Sequence, residues 1–328
     1  MLIYVQKIKA PENQAMTEDN PVSEMADSYR LVNAGGNHYD IGRKMTDAFT
    51  PALHERLSRQ PDGAILGNAL KSVDAMFGAH PVLKDELQGI AEGISIEFEA
   101  VLCEVSDTFA PPSVSSTVIS QTDGALLIGR NYASSPSSTV RNLLRLDPND
   151  SYASLGRMGG YFAGTSESIG VYGVFACADI LERNAAPVPG TAAYMIPRMI
   201  SESARDISAA LEKLRSIVPM HRSSYVIADA SSAYYAVWDG SSFSVEQISK
   251  FPFLLKDGKK VNATPPLKDG ESIKKYLSDH DGGACVHRPG AETIYSLLLG
   301  IGSERVEYTS GCPCRAPYAT VDWPGGYG

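Results

Sequence analysis

The hydrophobic periodicity of the chain changes at Pro111-Pro112, and this change restricts the fold more than any other feature of the sequence. Between residues 41 and about 109, apolar residues recur at three- and four-residue intervals, which is typical of amphipathic helices. After the prolines come short runs with strand character, at 115–121, 125–132, 168–179, 224–231 and 233–240. Because helical and strand patterns are segregated instead of alternating, they predict an α+β fold of packed layers.

Two local patterns refine this prediction. Asp123-Gly124 separates two apolar runs and accepts the positive φ of a tight turn, so it predicts a β-hairpin. A long helical pattern over 192–217 interrupts the strands, and Pro197 is expected to kink or break it.

Size and charge exclude several classes of protein. The 328 residues, 43% of them hydrophobic, can bury a full core. The net charge of −9 and the lack of a Lys/Arg-rich run argue against a nucleic-acid partner. No apolar run approaches the roughly 20 residues of a membrane span, and the first residues do not resemble a signal peptide. The sequence therefore predicts a cytoplasmic protein without a membrane partner.

The cysteines and histidines do not show a metal motif in the sequence. Five cysteines form an odd set, which favours free thiols in a reducing compartment. Cys312-Pro313-Cys314 could bind a metal or form a strained disulfide, but a zinc site needs four ligands and no partner pair is visible. The six histidines show no ligand spacing, and His221, just before a strand, is the one with most catalytic potential. We therefore predict no metal and no cofactor.

The predicted hairpin begins with serines, which allows two interpretations. Serines at the head of a strand are usually turn or capping residues, because their hydroxyls bond to nearby backbone. One of them can instead be a nucleophile, and the surrounding motifs favour this second interpretation. Ser115-Ser116-Thr117 starts the first strand, and Gly129-Arg130-Asn131-Tyr132-Ala133 ends the second.

This arrangement resembles the acyl-coenzyme A:isopenicillin N acyltransferase family of N-terminal nucleophile hydrolases, relatives of choloylglycine hydrolases and acid ceramidases. In that family a Cys-Thr-Thr or Cys-Thr-Ser stretch starts the strand, and Gly-(Arg/Gln)-Asn-x-Asp follows. Further similar stretches are "GGNHYDIGRKM" at 35–45, "SESIGVYGV" at 166–174 and "HRSSYVIADAS" at 221–231. The resemblance covers roughly residues 30 to 245.

The resemblance implies a four-layer αββα sandwich and a division of the chain. A polar extension would cover residues 1–28, a helical region like the family's prosegment residues 29–114, and the sandwich core residues 115–328, with prosegment and core in one structural domain. Ser115 would be the nucleophile, freed when the chain cuts itself before it. The new α-amine, which titrates near 7.7–8.0, would serve as the base, so no histidine is required.

The resemblance also assigns the remaining site residues. Arg130 would bind substrate, with Tyr132 beside it, and Asn131 would shape the catalytic site. Three departures from the family pattern affect this site. Ala133 replaces the Asp that orients the amine, Glu167 stands where an oxyanion-hole Asn is expected, and the second Asn falls at Ser223 or Ser224. Losing one oxyanion donor costs roughly 10²–10³ in rate.

Two functions follow from these residues. The first is an amide hydrolase or acyltransferase that attacks a small acylated amine or amino-acid-derived substrate through Ser115, with Ser224 at the substrate. The alternative is a relative that does not cleave itself and whose pocket binds a small molecule or performs acid–base chemistry through Glu167. Both imply a small-molecule partner, and a homo-oligomer is compatible with either.

Overall fold

The computed structural model describes residues 6–7, 30–49, 51–59, 63–106, 114–134, 142–158, 164–182, 188–261, 266–281, 284–303 and 305–323. Apart from residues 6–7, the predicted polar extension lies outside this part of the chain. The α-helices are α1 His38–Met45, α2 Pro51–Leu57, α3 Gly63–Ala79, α4 Leu83–Gly93, α5 Phe98–Val105, α6 Ile196–Ser201, α7 Ile207–Arg215 and α8 Gly270–Leu277.

The strands form two sheets. They are β1 Gln6–Lys7, β2 Arg30–Gly36, β3 Val114–Thr122, β4 Ala125–Ser134, β5 Asn142–Pro148, β6 Ser154–Met158, β7 Thr165–Gly170, β8 Phe175–Glu182, β9 Arg222–Ala228, β10 Ala233–Trp238, β11 Phe243–Gln247, β12 Phe253–Lys256, β13 Lys259–Lys260, β14 His287–Arg288, β15 Ala291–Gly300, β16 Arg305–Thr309 and β17 Tyr318–Asp322. The nine-stranded sheet has the order β1-β2-β5-β6-β7-β8-β9-β10-β11. The eight-stranded sheet has the order β13-β12-β3-β4-β15-β16-β17, with β14 paired to β15.

Three apolar interfaces stack these elements into four layers. Alternate residues of the nine-stranded sheet, such as Val32 and Leu144, pack against α1–α7, while their neighbours Leu31 and Leu143 face the eight-stranded sheet. The far side of the eight-stranded sheet packs on α8 through Val118 and other apolar residues. Side chains of a strand point alternately to its two faces, so each sheet buries both faces. The predicted αββα sandwich is confirmed.

The predicted hairpin is also confirmed. Strands β3 and β4 pair in antiparallel register from Val114↔Ala133 to Thr122↔Ala125. Asp123 and Gly124 have φ values of 51° and 84°, the left-handed conformation that a two-residue hairpin turn requires.

Two predictions about the helical segments are corrected. Pro197 does not break a helix, because it lies in the first turn of α6, where a missing N–H removes no intrahelical bond. The helical pattern of 192–217 is instead divided into α6 and α7 by a non-helical stretch. The helix-rich N-terminal region also contributes a strand, because β2 enters the nine-stranded sheet parallel to β5.

Helices α1 and α4 of the N-terminal region cross at two glycines. A Cβ on Gly42 would lie 2.0 Å from the carbonyl oxygen of Glu86, and a Cβ on Gly89 would lie 2.1 Å from that of Tyr39. Only residues without a side chain allow the two backbones to approach this closely.

A buried charge network joins these helices to α6. Arg198 donates to both carboxylate oxygens of Glu86, each at 2.6 Å, and to Glu202 at 2.7 Å. His38 is 3.0 Å from Glu86, and Ser154 donates to Glu202. Such a network is costly to desolvate, so removing one member of a buried pair is strongly destabilising. Within the described part of the chain, no helix combines the length and apolar character that crossing a membrane requires.

Candidate functional site

Ser115 is the second residue of β3 and lies at the floor of an open cleft. Its exposed fraction is 5%, and the cleft beside it has a volume of about 290 Å³. The other residues along the cleft are Val114, Ser116, Lys256, Asp257, His280, Cys285, Val286, His287 and Arg288. Ligand sites for small molecules usually begin near this volume.

The Ser115 hydroxyl is bound to a carboxylate of the other sheet. Its Oγ donates to Oδ1 of Asp179 on β8 at 2.7 Å. The same carboxylate receives two hydrogen bonds from Arg130, from Nη2 at 2.7 Å and from Nη1 at 3.0 Å. Burial alone would lower the pKa of Arg130, but the charge of Asp179 outweighs it and holds that pKa above its ordinary value. A permanent cation therefore fixes the carboxylate that orients the hydroxyl.

A second carboxylate holds the backbone of Ser115. The N–H of Ser115 donates to Oδ1 of Asp257 at 3.1 Å, and the N–H of Asp257 returns a bond to the Ser115 carbonyl at 2.8 Å. Asp257 and Gly258 form the tight turn between β12 and β13, with φ values of 50° and 71°. Gly258 is required there because a Cβ would lie 2.4 Å from Oγ of Ser224 and 2.8 Å from Cβ of Asp179.

The structure corrects the prediction that Arg130 binds substrate. Arg130 is fully buried, is absent from the cleft wall, and directs its guanidinium to Glu167, Thr117, Asp179 and the carbonyl of Ala178. All three of its nitrogens are engaged by protein oxygens. Arg130 therefore supports Asp179 from below Ser115 and presents no donor to a ligand in the cleft.

Glu167 is likewise withdrawn from the cleft. One of its oxygens accepts a hydrogen bond from Arg130 at 3.2 Å and one from Ser166 at 2.6 Å. The other oxygen accepts from Arg157 at 3.2 Å. Glu167 is 2% exposed and does not line the cleft. A carboxylate held between two guanidiniums serves as a counter-ion, so this geometry adds no support to the predicted acid–base chemistry through Glu167, which stays a prediction.

Asn131 faces away from the nucleophile. Its Nδ2 donates to the carbonyls of Leu277 and Ala284, at 2.7 and 2.9 Å, on the α8 side of the sheet. Neighbouring residues of a strand point to opposite faces, so Asn131 cannot share the face of Arg130. Its predicted catalytic role is corrected to anchoring the segment that begins at Ala284.

Tyr132 and Ser224 lie behind the cleft, not along it. Tyr132 is the register partner of Ser115, but its ring is covered by the guanidinium of Arg157 at 4.0 Å. Ser224 is buried opposite Asp179 in the β8–β9 pair. Neither residue lines the cleft, so this geometry adds no support to their predicted substrate-binding roles, which stay predictions.

The sequence reasoning missed Asp179 and Asp257, the two carboxylates that contact Ser115. Asp257-Gly258 carries the same Asp-Gly turn signal as Asp123-Gly124 and follows the apolar stretch 251–255, so this turn is recognisable from the sequence. Asp179 is the charged residue at the end of the otherwise apolar stretch "VFACAD". Cys177, on the same strand, is a poor alternative nucleophile, because burial raises the pKa of its thiol to about 12.

A sulfur–imidazole cluster forms one wall of the cleft. Ligand atoms of His280, Cys285, His287 and Cys314 lie within 4.8 Å of one another, and Cys312 lies among them. The sequence predicts no partner pair for Cys312 and Cys314, and this prediction is corrected, because the fold brings Cys285 and His287 to that pair. Cys285 and His287 form a Cys-x-His pair in the sequence, which is the local signal for such a partner.

Comparison with known families confirms the resemblance predicted from the sequence. Residues 120–251 match the family model of acyl-coenzyme A:6-aminopenicillanic acid acyl-transferase. This match relates the central strands of the chain to a family of acyl-transferases. Comparison with the curated proteins gives no sequence match.

Solved structures give loose similarities. A variant of the conjugated bile acid hydrolase from Clostridium perfringens is 10% identical to this chain, with a TM-score of 0.42. The match covers 63% of this chain and 92% of that one. A second, mutant form of that hydrolase gives a TM-score of 0.37 over the same shares of both chains. The Caenorhabditis elegans ortholog of N-acylethanolamine-hydrolyzing acid amidase is 11% identical to this chain, with a TM-score of 0.43. The match covers 57% of this chain and 93% of that one. These scores are too low to inform the site.

Proposed function

We propose that this chain is an amide hydrolase or acyltransferase of the N-terminal nucleophile type, which acts on a small acylated amine through Ser115. The observation that carries the proposal is that separate carboxylates bind the two reactive atoms of Ser115. Asp179 accepts from the hydroxyl and Asp257 accepts from the nitrogen. The family match over residues 120–251 supports the same class of chemistry.

The first step of the proposed mechanism is self-cleavage. In the intact chain the nitrogen of Ser115 is an amide and cannot act as a base, so Asp179 is the group available to take the hydroxyl proton. Oγ attacks the carbonyl carbon of Val114, and the bond from that carbon to the nitrogen breaks as Asp179 passes the proton on to the departing nitrogen. The products are an ester at Oγ and a free α-amine, and water then hydrolyses the ester to release Val114 with a new carboxyl group. Residues 29–114 would form the prosegment side of this cut.

The second step acts on the substrate. The freed amine lies beside Asp257, which holds it in place, and its pKa near neutral pH allows it to accept the proton of the hydroxyl. Oγ attacks the acyl carbon of the substrate, and the amine of Ser115 returns the proton to the departing nitrogen. The acyl group on Oγ then passes to water or to another nucleophile.

The charge of the cleft indicates which acylated amines fit. Lys256 and Arg288 contribute two permanent positive charges, whereas Asp257, the carboxylate along the described wall, is engaged with Ser115. A guanidinium and an ammonium along the wall of a cleft favour a carboxylate-bearing ligand. We therefore expect N-acylated amino acids to be preferred over neutral acylated amines.

Ser115→Cys tests the proposal, with Ser116→Cys as its matched control. A thiol is the better nucleophile, so we expect Ser115→Cys to divide the chain between residues 114 and 115, seen as two fragments by gel and by intact mass. Ser116 follows in the same strand, but its Oγ faces the carbonyl of Ala284 at 3.5 Å, so its variant should stay whole. A folded Ser115→Cys protein that remains intact over days would contradict self-cleavage. Hydrolysis of acylated amines that persists in Ser115→Ala would contradict the nucleophile.

A further inference from the structure

We propose that Cys285, His287, Cys312 and Cys314 form a structural site for one Zn²⁺ ion beside the cleft. The sulfur atoms of Cys285 and Cys312 are 2.8 Å apart, and those of Cys312 and Cys314 are 2.9 Å apart. Nε2 of His287 lies 3.0 Å from Cys312 and 3.4 Å from both Cys285 and Cys314. Three thiols and one imidazole thus converge on a single point.

The donor set matches the preference of zinc. Three sulfurs and one nitrogen in a closed group of four are typical of structural Zn²⁺ sites, whereas Mg²⁺ and Ca²⁺ require oxygen ligands. Thiolates bound to tetrahedral Zn²⁺ at about 2.3 Å lie about 3.8 Å apart, so the sulfur–sulfur separations would have to widen by about 1 Å to accommodate the ion. Each thiol that binds releases its proton to solvent, so three protons leave as the ion enters.

The histidine is oriented as a metal ligand. Nδ1 of His287 is 3.3 Å from a carboxylate oxygen of Glu292, which leaves Nε2 to face the thiols. A carboxylate behind the outer nitrogen of a ligating imidazole is the usual second partner in zinc sites, because it fixes the tautomer and the ring. Glu292 is in turn 3.4 Å from Arg315, next to Cys314.

The backbone brings the two donor pairs together by short elements. His287 starts β14, which pairs with β15 at Glu292. Cys312 and Cys314 follow β16, and the Cys312 carbonyl accepts from the N–H groups of Arg315 and Ala316, which closes a tight turn. Cys285 and Cys312 are 3% and 6% exposed, so an ion between them would be shielded from solvent on that side.

His280 lies outside the proposed ligand set. It is exposed, and its ring stacks on that of His287 with centroids 4.8 Å apart and planes inclined by 16°. Although one of its nitrogens is within 4.8 Å of three of the donors, a fourth ligand is already supplied by Cys312. His280→Ala is therefore the matched control for His287→Ala.

Metal analysis of the full-length protein, purified without chelator, tests this site. We expect one zinc per chain in the unaltered protein, in His280→Ala and in Cys103→Ala, which removes a thiol of α5 outside the cluster. Cys312→Ala and His287→Ala should lose the zinc. Replacement by Co²⁺ should give the absorption bands of tetrahedral cobalt thiolate, and Glu292→Gln should weaken binding by about 10–100-fold without abolishing it.

Several outcomes would overturn the proposal. A chain without zinc that also fails to bind added Zn²⁺ would do so, as would an intact mass showing the loss of two hydrogens from a Cys285–Cys312 disulfide. Zinc that is retained in Cys312→Ala but lost in His280→Ala would show a different ligand set. Since misfolding could mimic ligand loss, circular dichroism accompanies each variant, and zinc-dependent recovery of the thermal midpoint after chelation of the unaltered protein provides an independent measurement.

Discussion

At the scale of single residues, the nitrogen of Ser115 is bound by a carboxylate that its own hairpin does not provide. Ala133, the register partner of Val114, occupies the position where the resemblance expects an Asp. Asp257, which follows Ser115 by 142 residues, supplies the carboxylate from a different strand pair. A carboxylate therefore still contacts the nitrogen of Ser115, but it belongs to a residue outside the hairpin motif.

Asp257→Asn should affect catalysis without affecting folding. The amide oxygen can still accept from the Ser115 nitrogen, but the negative charge that favours a protonated amine is lost. We expect the pKa of the freed amine to fall, so that the acidic limb of the pH–rate profile of the cleaved enzyme moves to lower pH. The weaker interaction between this side chain and the freed amine should reduce kcat by about 10²-fold, within the range for acid–base groups.

The measurement is kcat against pH on an N-acylated amino acid, using cleaved Ser115→Cys protein as the background. Asp322→Asn is the control, because Asp322 is 90% exposed and distant from Ser115 in the strand order. A profile identical to that of the control would show that Asp257 has no influence on the amine.

At the scale of elements, the crossing of α1 and α4 depends on Gly42 and Gly89. Gly89→Ala should destabilise the protein, because its Cβ would meet the backbone of Tyr39, which cannot rotate away. Overpacking typically costs about 1–3 kcal/mol in the free energy of unfolding. Urea unfolding with global fitting measures this quantity.

Gly67→Ala in α3 is the matched control for that experiment. A Cβ at Gly67 meets no atom within 4 Å, so the substitution adds helix propensity without a clash. We expect it to stabilise the protein by about 0.5–1 kcal/mol. Equal effects of the two substitutions would contradict the close crossing of the helices.

The sequence predicts those features of these elements that local interactions determine. The β3–β4 hairpin follows from Asp123-Gly124 and two apolar runs, so its register needs no other part of the chain. The parallel pairing of β2 with β5 joins segments with more than a hundred residues between them and leaves no local pattern. The same is true of Cys285 and Cys312, which meet only when β15 and β16 fold together.

Some site assignments could have been improved from the sequence alone. Arg130 and Asn131 are neighbours in a predicted strand, so alternation already requires them to face opposite sides. The resemblance nevertheless placed both at the site. By contrast, the burial of Arg130 under Asp179 depends on how closely the two sheets pack, which no residue spacing reveals.

At the scale of the whole molecule, the buried charge network makes stability depend on pH. Burial alone would raise the pKa of Glu202, but the charge of Arg198 outweighs it and lowers that pKa to about 2, from an ordinary value of 4.5. A carboxyl group with a lowered folded-state pKa stabilises fully above its unfolded-state pKa. Its contribution is then lost as the pH falls from about 4.5 towards 2.

Glu202→Gln should therefore lower the free energy of unfolding at neutral pH. It should also make that free energy fall less steeply as the pH is lowered. Removing one partner of a buried pair typically costs about 3–5 kcal/mol in the free energy of unfolding. Urea unfolding at a series of pH values measures both effects. Glu182→Gln removes an exposed pair with Arg222 and should leave the curve unchanged. A Glu202→Gln protein whose stability declines in acid as steeply as the unaltered one would contradict this account.

The parallel pairing of β2 with β5 has a consequence for the cleaved protein. The proposed cut separates these strands into different polypeptides, yet their hydrogen bonds and the helices packed on the sheet would hold the pieces together as a heterodimer. Unfolding such a nicked protein yields two molecules from one, so its midpoint rises with total concentration. Refolding from denaturant becomes a second-order reaction. Below a limiting protein concentration the two pieces of the cleaved form would separate, whereas the uncleaved chain has no such limit.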